Sequence, residues 1–326
     1  MRPRSQTVPP ALAATRSAGT PAAALAATFA VTLTVTLAGA LPASAQPADS
    51  PWAKVDAVFG APGKDLPGGV HRFGWPRRDL HVKIGNVPVQ AALGLGSWGA
   101  FVKTGQGGGG DQATAMAMGD LVLLESELTP VVSALQAGGI DVTAIHNHLI
   151  GETPHVVYLH FSGHGEATAL AATLKQALGK TATPLAAAGP PAKPLPADEK
   201  AFHTVQEVLG RQGSLAGTVL QVGVPRAETI EEHGMEIPPS MGMANALNFQ
   251  RVGNQVATTG DFVLIAAEVN PVIHELRAQG LEVTALHSHM LAETPRLFFM
   301  HFWGVGSPET IAGALKAALA KVNVKP

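Results

Sequence analysis

Three histidines and one glutamate occur at matching positions in two related stretches of the chain, residues 140–163 and 281–304. The first stretch reads IDVTAIHNHLIGETPHVVYLHFSG and the second LEVTALHSHMLAETPRLFFMHFWG. Each contains His-x-His, a glutamate four residues after the second histidine, the pair Thr-Pro and a further histidine. Imidazole and carboxylate groups gathered in this way are typical ligands of transition metals.

The spacing of the histidines fits a β-hairpin that points them to one face. Residues two apart on a strand share a face, so His146 and His148 would lie about 7 Å apart on the same side. His160 on the returning strand shares that face if it pairs with Ala144 and faces away if it pairs with Thr143. The sequence alone leaves both registers open.

The predicted site therefore has equivalent members in the two stretches. The ligands are His146, His148 and His160 in the first stretch and His287, His289 and His301 in the second, with Glu152 and Glu293 as further ligands or as hydrogen-bonding partners of ligands. The alternative is that these histidines are packed inside the fold and hydrogen-bonded to threonine, glutamate and backbone. Because six of the 13 histidines recur in register, we favour one zinc or copper site per repeat over magnesium or calcium.

A duplication organises the elements that must position these residues. Between residues 120–163 and 261–304, 20 of 44 positions are identical without an insertion. The pattern predicts a first repeat at 46–180, a linker rich in Pro and Ala at 181–199 and a second repeat at 200–326. The elements predicted in the first repeat are a helix at 52–59, strands at 70–73 and 80–89, a glycine-rich passage at 94–110, a strand at 113–124, a helix that has Pro130 in its first turn, strands at 140–150 and 155–162, and a helix at 166–178.

The core order of strand, strand, helix, strand, strand, helix indicates an α+β fold. It corresponds to two tandem ferredoxin-like repeats, each circularly permuted to β-β-α-β-β-α. Helices would cover one face of each antiparallel sheet, and the two free faces could pack against each other around a cavity. Val157, Leu159 and Phe161 would lie beneath the helices, and the alternate residues would line the site. Glu127 and Glu268, each three residues before a proline, are predicted to cap helices.

The N-terminal segment has the composition of a secretory signal peptide at residues 1–45. Three arginines precede an uncharged apolar run at 22–40, and Ala43-Ser44-Ala45 offers a cleavage site after Ala45. We expect a periplasmic or secreted protein without a stable membrane anchor after cleavage. The chain has no cysteine, which excludes disulfides and lipid attachment through cysteine. Its net charge of −2 becomes more negative when those arginines are removed, which argues against nucleic-acid binding.

Several motifs resemble the LppY/LpqO family of exported bacterial proteins. They are Gly119-Asp-Leu-Val-Leu, Glu127-Leu-Thr-Pro-Val, Val142-Thr-Ala-Ile-His-Asn-His-Leu, Gly260-Asp-Phe-Val-Leu and Glu268-Val-Asn-Pro-Val. The resemblance spans nearly all of the chain after residue 45 and implies an exported protein of two similar halves. The family's namesakes resemble lipoproteins, from which this chain departs because it has no cysteine to acylate.

Three functions are compatible with this sequence. The first is metal capture, delivery or sensing by an exported metal-binding protein. The second is a metal-dependent hydrolase in which Glu152 or Glu293 acts as general base towards a metal-activated water. The third is a module that binds a small organic ligand or glycan between the sheets, with aromatic platforms at Trp98, Tyr158, Phe299 and Trp303.

Overall fold

The chain folds into two similar α+β halves, each with a six-stranded antiparallel sheet and its own helices. The computed structural model describes residues 50–105, 114–186, 189 and 191–326. The predicted signal peptide at 1–45 lies outside the described residues, whereas both halves belong to one compact unit. Within the described ranges, no helix has the length and apolar character needed to cross a membrane.

The first half runs from the first described helix to a long helix that closes the unit. Its elements are α1 (Ala53–Phe59), β1 (Lys64–Leu66), β2 (Val70–Pro76), β3 (Lys83–Ile84), β4 (Val87–Pro88), α2 (Ala91–Gly94), β5 (Gly96–Lys103), β6 (Thr114–Leu124), α3 (Glu125–Ala137), β7 (Asp141–His146), β8 (Glu152–Thr153), β9 (Val156–Glu166) and α4 (Ala167–Leu178).

The second half repeats this order, with a short 3-10 turn at Pro239–Met241 where the first half has α2. Its elements are α5 (Pro196–Leu209), β10 (Ser214–Ala216), β11 (Val219–Pro225), β12 (Glu231–Glu232), β13 (Met235–Glu236), β14 (Ala244–Val252), β15 (Gln255–Ile265), α6 (Ala266–Ala278), β16 (Glu282–His287), β17 (Glu293–Thr294), β18 (Leu297–Gly306) and α7 (Pro308–Leu319).

In each half the long helices pack on one face of the large sheet, whereas the short helix α2 lies in the cluster shared by both halves. The strand order is β1-β2-β5-β6-β9-β7 in the first half and β10-β11-β14-β15-β18-β16 in the second. Leu159 and Phe161 of β9 pack with α1, α3 and α4 in one core, and Phe302 of β18 packs with α5, α6 and α7 in another. The alternation of β9 thus sends one set of side chains to the helices, as the sequence predicts.

The inner faces of the two sheets share their apolar side chains. One cluster joins Val70 and Met118 of the first half to Met241 and Phe299 of the second. A further cluster contains Tyr158 together with residues of both halves. The two halves therefore bury a common interior between their sheets, in which any polar group is removed from bulk water.

Three local predictions differ from the structure. The segment 80–89 is predicted as one strand but forms the β3–β4 hairpin, because Gly85 turns the chain with a φ of +55°. The passage 94–110 is predicted as a glycine-rich connection but contains strand β5, which pairs with β2 and β6; Trp98, Phe101 and Val102 favour the strand although glycines interrupt them. The run 106–110 lies outside the described residues. Helix α5 begins at Pro196, inside the predicted linker.

The glutamate predicted to cap the third helix does so, at an earlier start than predicted. Helix α3 begins at Glu125, and Pro130 lies within it. Glu127 Oε2 accepts a hydrogen bond from the backbone N–H of Leu124 at 2.8 Å. The same carboxylate receives the buried Arg77 guanidinium, whose Nη1 lies 2.7 Å from Oε2. Glu268 and Arg226 repeat both contacts in the second half.

We expect Arg77→Ala to destabilise the protein by about 3–5 kcal/mol, because it leaves the Glu127 carboxylate buried without its charged partner. The carbonyl of Val122, which accepts from Arg77 Nη1 at 2.7 Å, would also lose its donor. Urea denaturation would measure this change in the free energy of unfolding. Arg78→Ala is the matched control, since Arg78 is exposed and should change stability by less than about 0.5 kcal/mol. Equal stabilities of the two variants would contradict this account of the ion pair.

Candidate metal centre

The register of the β7–β9 hairpin brings the histidines of the first half together. His160 pairs with Ala144 and His146 pairs with Tyr158, which is the first of the two registers open from the sequence. A bulge between Val142 and Ala144 accompanies this pairing. Strand β7 ends at His146, so His148 lies in the loop that follows, with its ring 5.0 Å from the ring of His146.

The two halves place their histidines in one common cluster. The ring centroids of His146 and His287 lie 3.5 Å apart, and both rings belong to the loop ends of equivalent strands. His148 stacks on His301 at 3.7 Å, and His160 stacks on His289 at the same distance. The sequence predicts one separate site per repeat, whereas the structure joins the six imidazoles into a single centre between the sheets.

Two aspartates that the sequence analysis missed complete this centre. Asp120 on β6 pairs with His160, and Asp261 on β15 pairs with His301. Asp120 Oδ2 lies 3.5 Å from His148 Nε2, and Asp261 Oδ2 lies 3.3 Å from His289 Nε2. The signal was present in the sequence, because the dipeptide Gly-Asp recurs at equivalent places of both repeats.

The glycine before each aspartate has a steric and a polar role. A Cβ at Gly119 would lie 2.3 Å from the carbonyl oxygen of Trp98, and one at Gly260 would lie 1.8 Å from that of Ala246. Only glycine therefore allows this close strand approach. The carbonyl of Gly260 accepts a hydrogen bond from His301 Nδ1 at 2.7 Å, which leaves Nε2 of the neutral ring as the atom with a free lone pair.

The Nε2 atoms of all six histidines are buried and make no hydrogen bond within the described part of the chain. The neighbouring carboxylate oxygens lie at 3.3–4.0 Å without hydrogen-bond geometry. Within the same described ranges, one carboxylate oxygen each of Asp120 and Asp261 is also without a hydrogen-bond partner. Each such group costs about 1–3 kcal/mol when it is buried unpaired. A cation bound among these lone pairs would supply the missing partner for all of them.

Burial also holds the imidazoles in the protonation state that binds metals. Desolvation lowers the pKa of His146 to about 4 and that of His301 to about 3. The pKa values of His148, His160, His287 and His289 are lowered by the same burial and by the neighbouring histidines. Burial raises the pKa of Asp120 to about 8 against the opposing effect of Arg72, and a bound cation would favour its ionised form.

Each half fixes the backbone of the other half's histidine loop. Thr143 Oγ1 donates to the carbonyl of His289 at 2.6 Å, and Thr284 Oγ1 donates to that of His148 at 2.6 Å. Asn147 Nδ2 adds a hydrogen bond to the carbonyl of Thr284 at 2.9 Å. The second histidine of each pair is therefore positioned by the opposite repeat, so neither repeat builds its loop alone.

The His and Asp side chains form overlapping groups that could hold a metal ion. In each group the candidate ligand atoms lie within 4.8 Å of one another. The groups are Asp120, His146, His148 and His160; His146, His287 and His301; His160, His287 and His289; and Asp261, His289 and His301. Every histidine predicted as a ligand belongs to at least one of them.

The two predicted glutamates lie elsewhere and have other partners. Glu152 on β8 binds His155 Nδ1 at 2.6 Å through Oε1. Glu293 on β17 binds Arg296 Nη1 at 3.2 Å and the backbone N–H of Leu297 at 2.9 Å. Among the residues that the structure describes, neither glutamate belongs to a group that could hold a metal. The turn carries them into the small sheets with β3 and β12, away from the inner face.

The predicted aromatic platforms are mostly engaged by the protein itself. Tyr158 stacks on His148 at 3.4 Å and donates its hydroxyl to the carbonyl of Gly94 at 2.8 Å. Phe299 stacks on His289 at 3.4 Å, and Trp303 is buried in an inter-sheet cluster. Trp98 differs, since it lines a cavity of about 630 Å³ that also reaches both aspartates and four of the histidines.

A model of the family described as Domain of Unknown Function (DUF1259) matches residues 53–180 and again residues 203–321. These ranges coincide with the two structural halves. No curated protein and no solved structure matches the chain significantly. The chain belongs to the DUF1259 family and contains two copies of its domain, whose equivalent histidines and aspartates meet in one centre.

Proposed function

We propose that this protein binds transition-metal ions at the centre formed by both repeats, for capture, delivery or sensing of the metal. The observation that carries the proposal is the set of six buried histidine Nε2 atoms that have no hydrogen-bond partner among the described residues. Natural interiors leave only a few buried polar groups per 100 residues without a partner, and these are scattered rather than gathered at one point. Six of them beside two aspartates are readily explained if a cation is their partner.

The donor set favours zinc or copper over magnesium or calcium. Neutral imidazoles predominate here, and they suit borderline metals, whereas magnesium and calcium require mainly oxygen ligands. Nitrogen and oxygen donors of this kind hold zinc at about 2.0–2.2 Å in other proteins. The methionines buried between the sheets pack in apolar clusters, so thioether ligation is not required for the assignment.

The ligand count favours two adjacent ions in each chain. Asp120 with His146, His148 and His160 forms a group of four from the first half. The duplication places Asp261, His287, His289 and His301 at the equivalent positions of the second half. Of these, Asp261, His289 and His301 form one group, and His287 belongs to groups that include histidines of the first half. Four such ligands match the four-coordinate sites typical of zinc. The stacked rings at the boundary would then bring two ions side by side.

We also propose that the mature protein is exported and belongs with the LppY/LpqO proteins that its motifs resemble. The signal-like N-terminal sequence supports export. The order β5-β6-β9-β7, with α3 and α4 on one face, is consistent with the circularly permuted ferredoxin-like arrangement inferred from the sequence. An exported protein without cysteine would rely on histidines for such a metal.

A metal-dependent enzyme is the second candidate, and the cavity beside the centre is the observation that favours it. The cavity reaches Asp120, His148, His160 and their equivalents, so a small molecule could approach a bound ion. The carboxylates beside the histidines are Asp120 and Asp261, rather than the glutamates suggested by the sequence. One of these aspartates would have to serve as the base towards a metal-bound water.

Metal content tests the leading proposal. We expect protein purified from its native compartment, or reloaded with zinc, to contain about two ions per chain by elemental analysis. His146→Ala and His287→Ala should each lose about one ion because each removes a ligand of one set. His203→Ala is the matched control, since this histidine lies exposed on α5 and should leave the metal content unchanged. A wild-type protein that takes up neither zinc nor copper would contradict the proposal.

A chelator should lower the melting temperature of the loaded protein. At free metal 1,000 times above Kd, binding stabilises the native state by about 4 kcal/mol. For a chain of this size that corresponds to a shift of roughly 10 °C, measured by calorimetry with and without chelator. A binding module that works without metal would instead show the same melting temperature in both conditions.

Glu152→Gln and Asp120→Asn separate the predicted carboxylate from the observed one. We expect Asp120→Asn to weaken zinc binding at least about 10-fold, because it removes a charged group facing three histidines. Glu152→Gln should leave zinc affinity unchanged, since Glu152 pairs with His155 outside the centre. Competition with a fluorescent chelator would measure both affinities. If Glu152→Gln weakened zinc binding and Asp120→Asn did not, Glu152 rather than Asp120 would be the ligand.

A further inference from the structure

The cavity between the two sheets has one wall that the metal centre does not explain. Its volume is about 630 Å³, and both halves contribute to its lining. The centre occupies one side, with Asp120 and Asp261 among the lining residues. Arg72 and Trp98 form another part of the wall. A space of this size lies within the usual range for small-molecule sites, about 300–1,000 Å³.

Arg72 is held in position by contacts from both halves. It lies on β2, and its guanidinium stacks over the ring of Trp98 at 4.0 Å. Nη1 donates to the carbonyl of Ser240 in the second half at 3.2 Å. The stacked ring and this hydrogen bond restrict the side chain, so a ligand would meet a cation that is already oriented.

Arg72 differs from the buried arginines of the fold because no acid pairs with it directly. Arg77 and Arg226 each contact two carboxylates, and Arg251 contacts Asp198. Among the described residues, no carboxylate oxygen lies within 4.0 Å of the Arg72 nitrogens. Burial lowers its pKa to about 10, which still leaves it fully charged at neutral pH. Most of its N–H donors therefore remain available at the cavity wall.

Three other polar side chains of the wall are already used inside the fold. Ser97 Oγ accepts from the N–H of Val122, and Asn245 Oδ1 accepts from that of Val263. Gln221, which stands at the position of Arg72 in the second repeat, donates to the carbonyl of Ala92 at 2.9 Å. At these two equivalent positions, the second repeat therefore has a neutral amide, Gln221, that is already hydrogen-bonded. The first repeat has a cation, Arg72, that still has N–H groups available.

Strand geometry places Arg72 within reach of a ligand at the metal centre. Gly74, Trp98, Asp120 and His160 form one row across β2, β5, β6 and β9. Arg72 lies two residues along β2 from that row and faces the same side, which is about 7 Å of strand rise. A molecule of a few carbon atoms can therefore contact Arg72 at one end and the centre at the other.

We propose that the cavity binds a small oxyanionic molecule whose carboxylate or phosphate group is held by Arg72 while its other end faces the His/Asp centre. The planar guanidinium presents paired N–H groups that match two oxygens of such an anion. The contact with the centre rests on the proposed metal function, whereas the contact with Arg72 stands on this side chain alone. The ligand class is thus an anion, since Arg72 is the only cationic group in the described cavity lining.

Calorimetric titration of inorganic phosphate and of succinate into the full mature chain tests this subsite. Both the zinc-loaded and the metal-free protein are titrated, at low and at raised salt. We expect saturable binding of at least one anion to wild type, weakened at least about 10-fold in Arg72→Gln, because hydrogen bonds to a charged group are lost. Arg72→Lys should recover part of the affinity, since the charge remains but the paired donors do not.

Two controls keep the result interpretable. Arg78→Gln changes an exposed arginine close in sequence and outside the cavity lining, so it should bind anions as wild type does. The zinc content and melting temperature of Arg72→Gln show whether that variant is folded and loaded. If it fails to fold, Arg72→Lys alone decides: affinity equal to wild type overturns the paired-donor contact.

The outcomes also separate this subsite from the metal proposal. Anion binding that depends on Arg72 in a protein that takes up no metal would support the subsite and overturn the metal function. Zinc uptake with equal anion affinity in wild type and Arg72→Gln would overturn the subsite and leave the metal function standing. No binding of either anion to wild type in either form at millimolar concentrations would also overturn the subsite.

Discussion

The structure buries the Nε2 lone pairs of six histidines away from water, and the rest of the site must compensate for this burial. Each Nε2 lies in the interior shared by the two sheets, where a lone pair without a donor is unfavourable by about 1–3 kcal/mol. Such a loss across six rings would be comparable to the whole stability of a typical domain. Protonation does not relieve it, because burial and the neighbouring rings lower the histidine pKa values. A bound cation would relieve it, since it would satisfy the lone pairs and ionise the aspartates together.

Duplication explains how so many ligands reach one place. A single repeat presents three histidines and one aspartate on the free face of its sheet, and that face is also apolar. Packing two such faces together buries their apolar residues and necessarily brings the equivalent polar residues into contact. The hydrogen bonds from Thr143 and Thr284 then cross between the halves and fix the histidine loops. The hydrophobic effect assembles the centre, and the polar cross-links set its geometry.

Local patterns in the sequence predict most of the elements and the six histidines that the structure gathers. Alternation in 156–161 separated the helix-facing residues from the site-facing ones, and the spacing before Pro130 indicated the capping role of Glu127. Strand β5 is not predicted, because Gly96 and Gly99 interrupt its apolar residues within a longer glycine-rich passage, and its pairing with two neighbouring strands is a tertiary effect. Asp120 was missed because it lies on a different strand from the histidine motif, although Gly-Asp recurs in both repeats.

The sequence of one repeat cannot predict that the two sites meet in a single centre. Sequence spacing shows which residues share a face, but the contact between His146 and His287 depends on how two sheets pack. The glutamates show the same limit. Glu152 is close in sequence to His148 and is predicted to join the site, yet it belongs to a small sheet with β3. A short spacing in sequence predicts that two side chains lie close together only when both residues are on the same strand. A turn between the two residues can carry them to different places.

The two halves have kept the centre equivalent while their cavity walls have diverged. His146, His148, His160 and Asp120 all have identical counterparts, whereas Arg72 and Trp98 correspond to Gln221 and Ala246. Metal ligation by both repeats needs the same donors twice, since each half completes the surroundings of the other. Recognition of an asymmetric molecule needs different residues on the two walls of the cavity. If a cation stood on both walls, the anionic end of the ligand could bind at either wall. A symmetric centre beside an asymmetric wall is what a metal site with an oriented ligand requires.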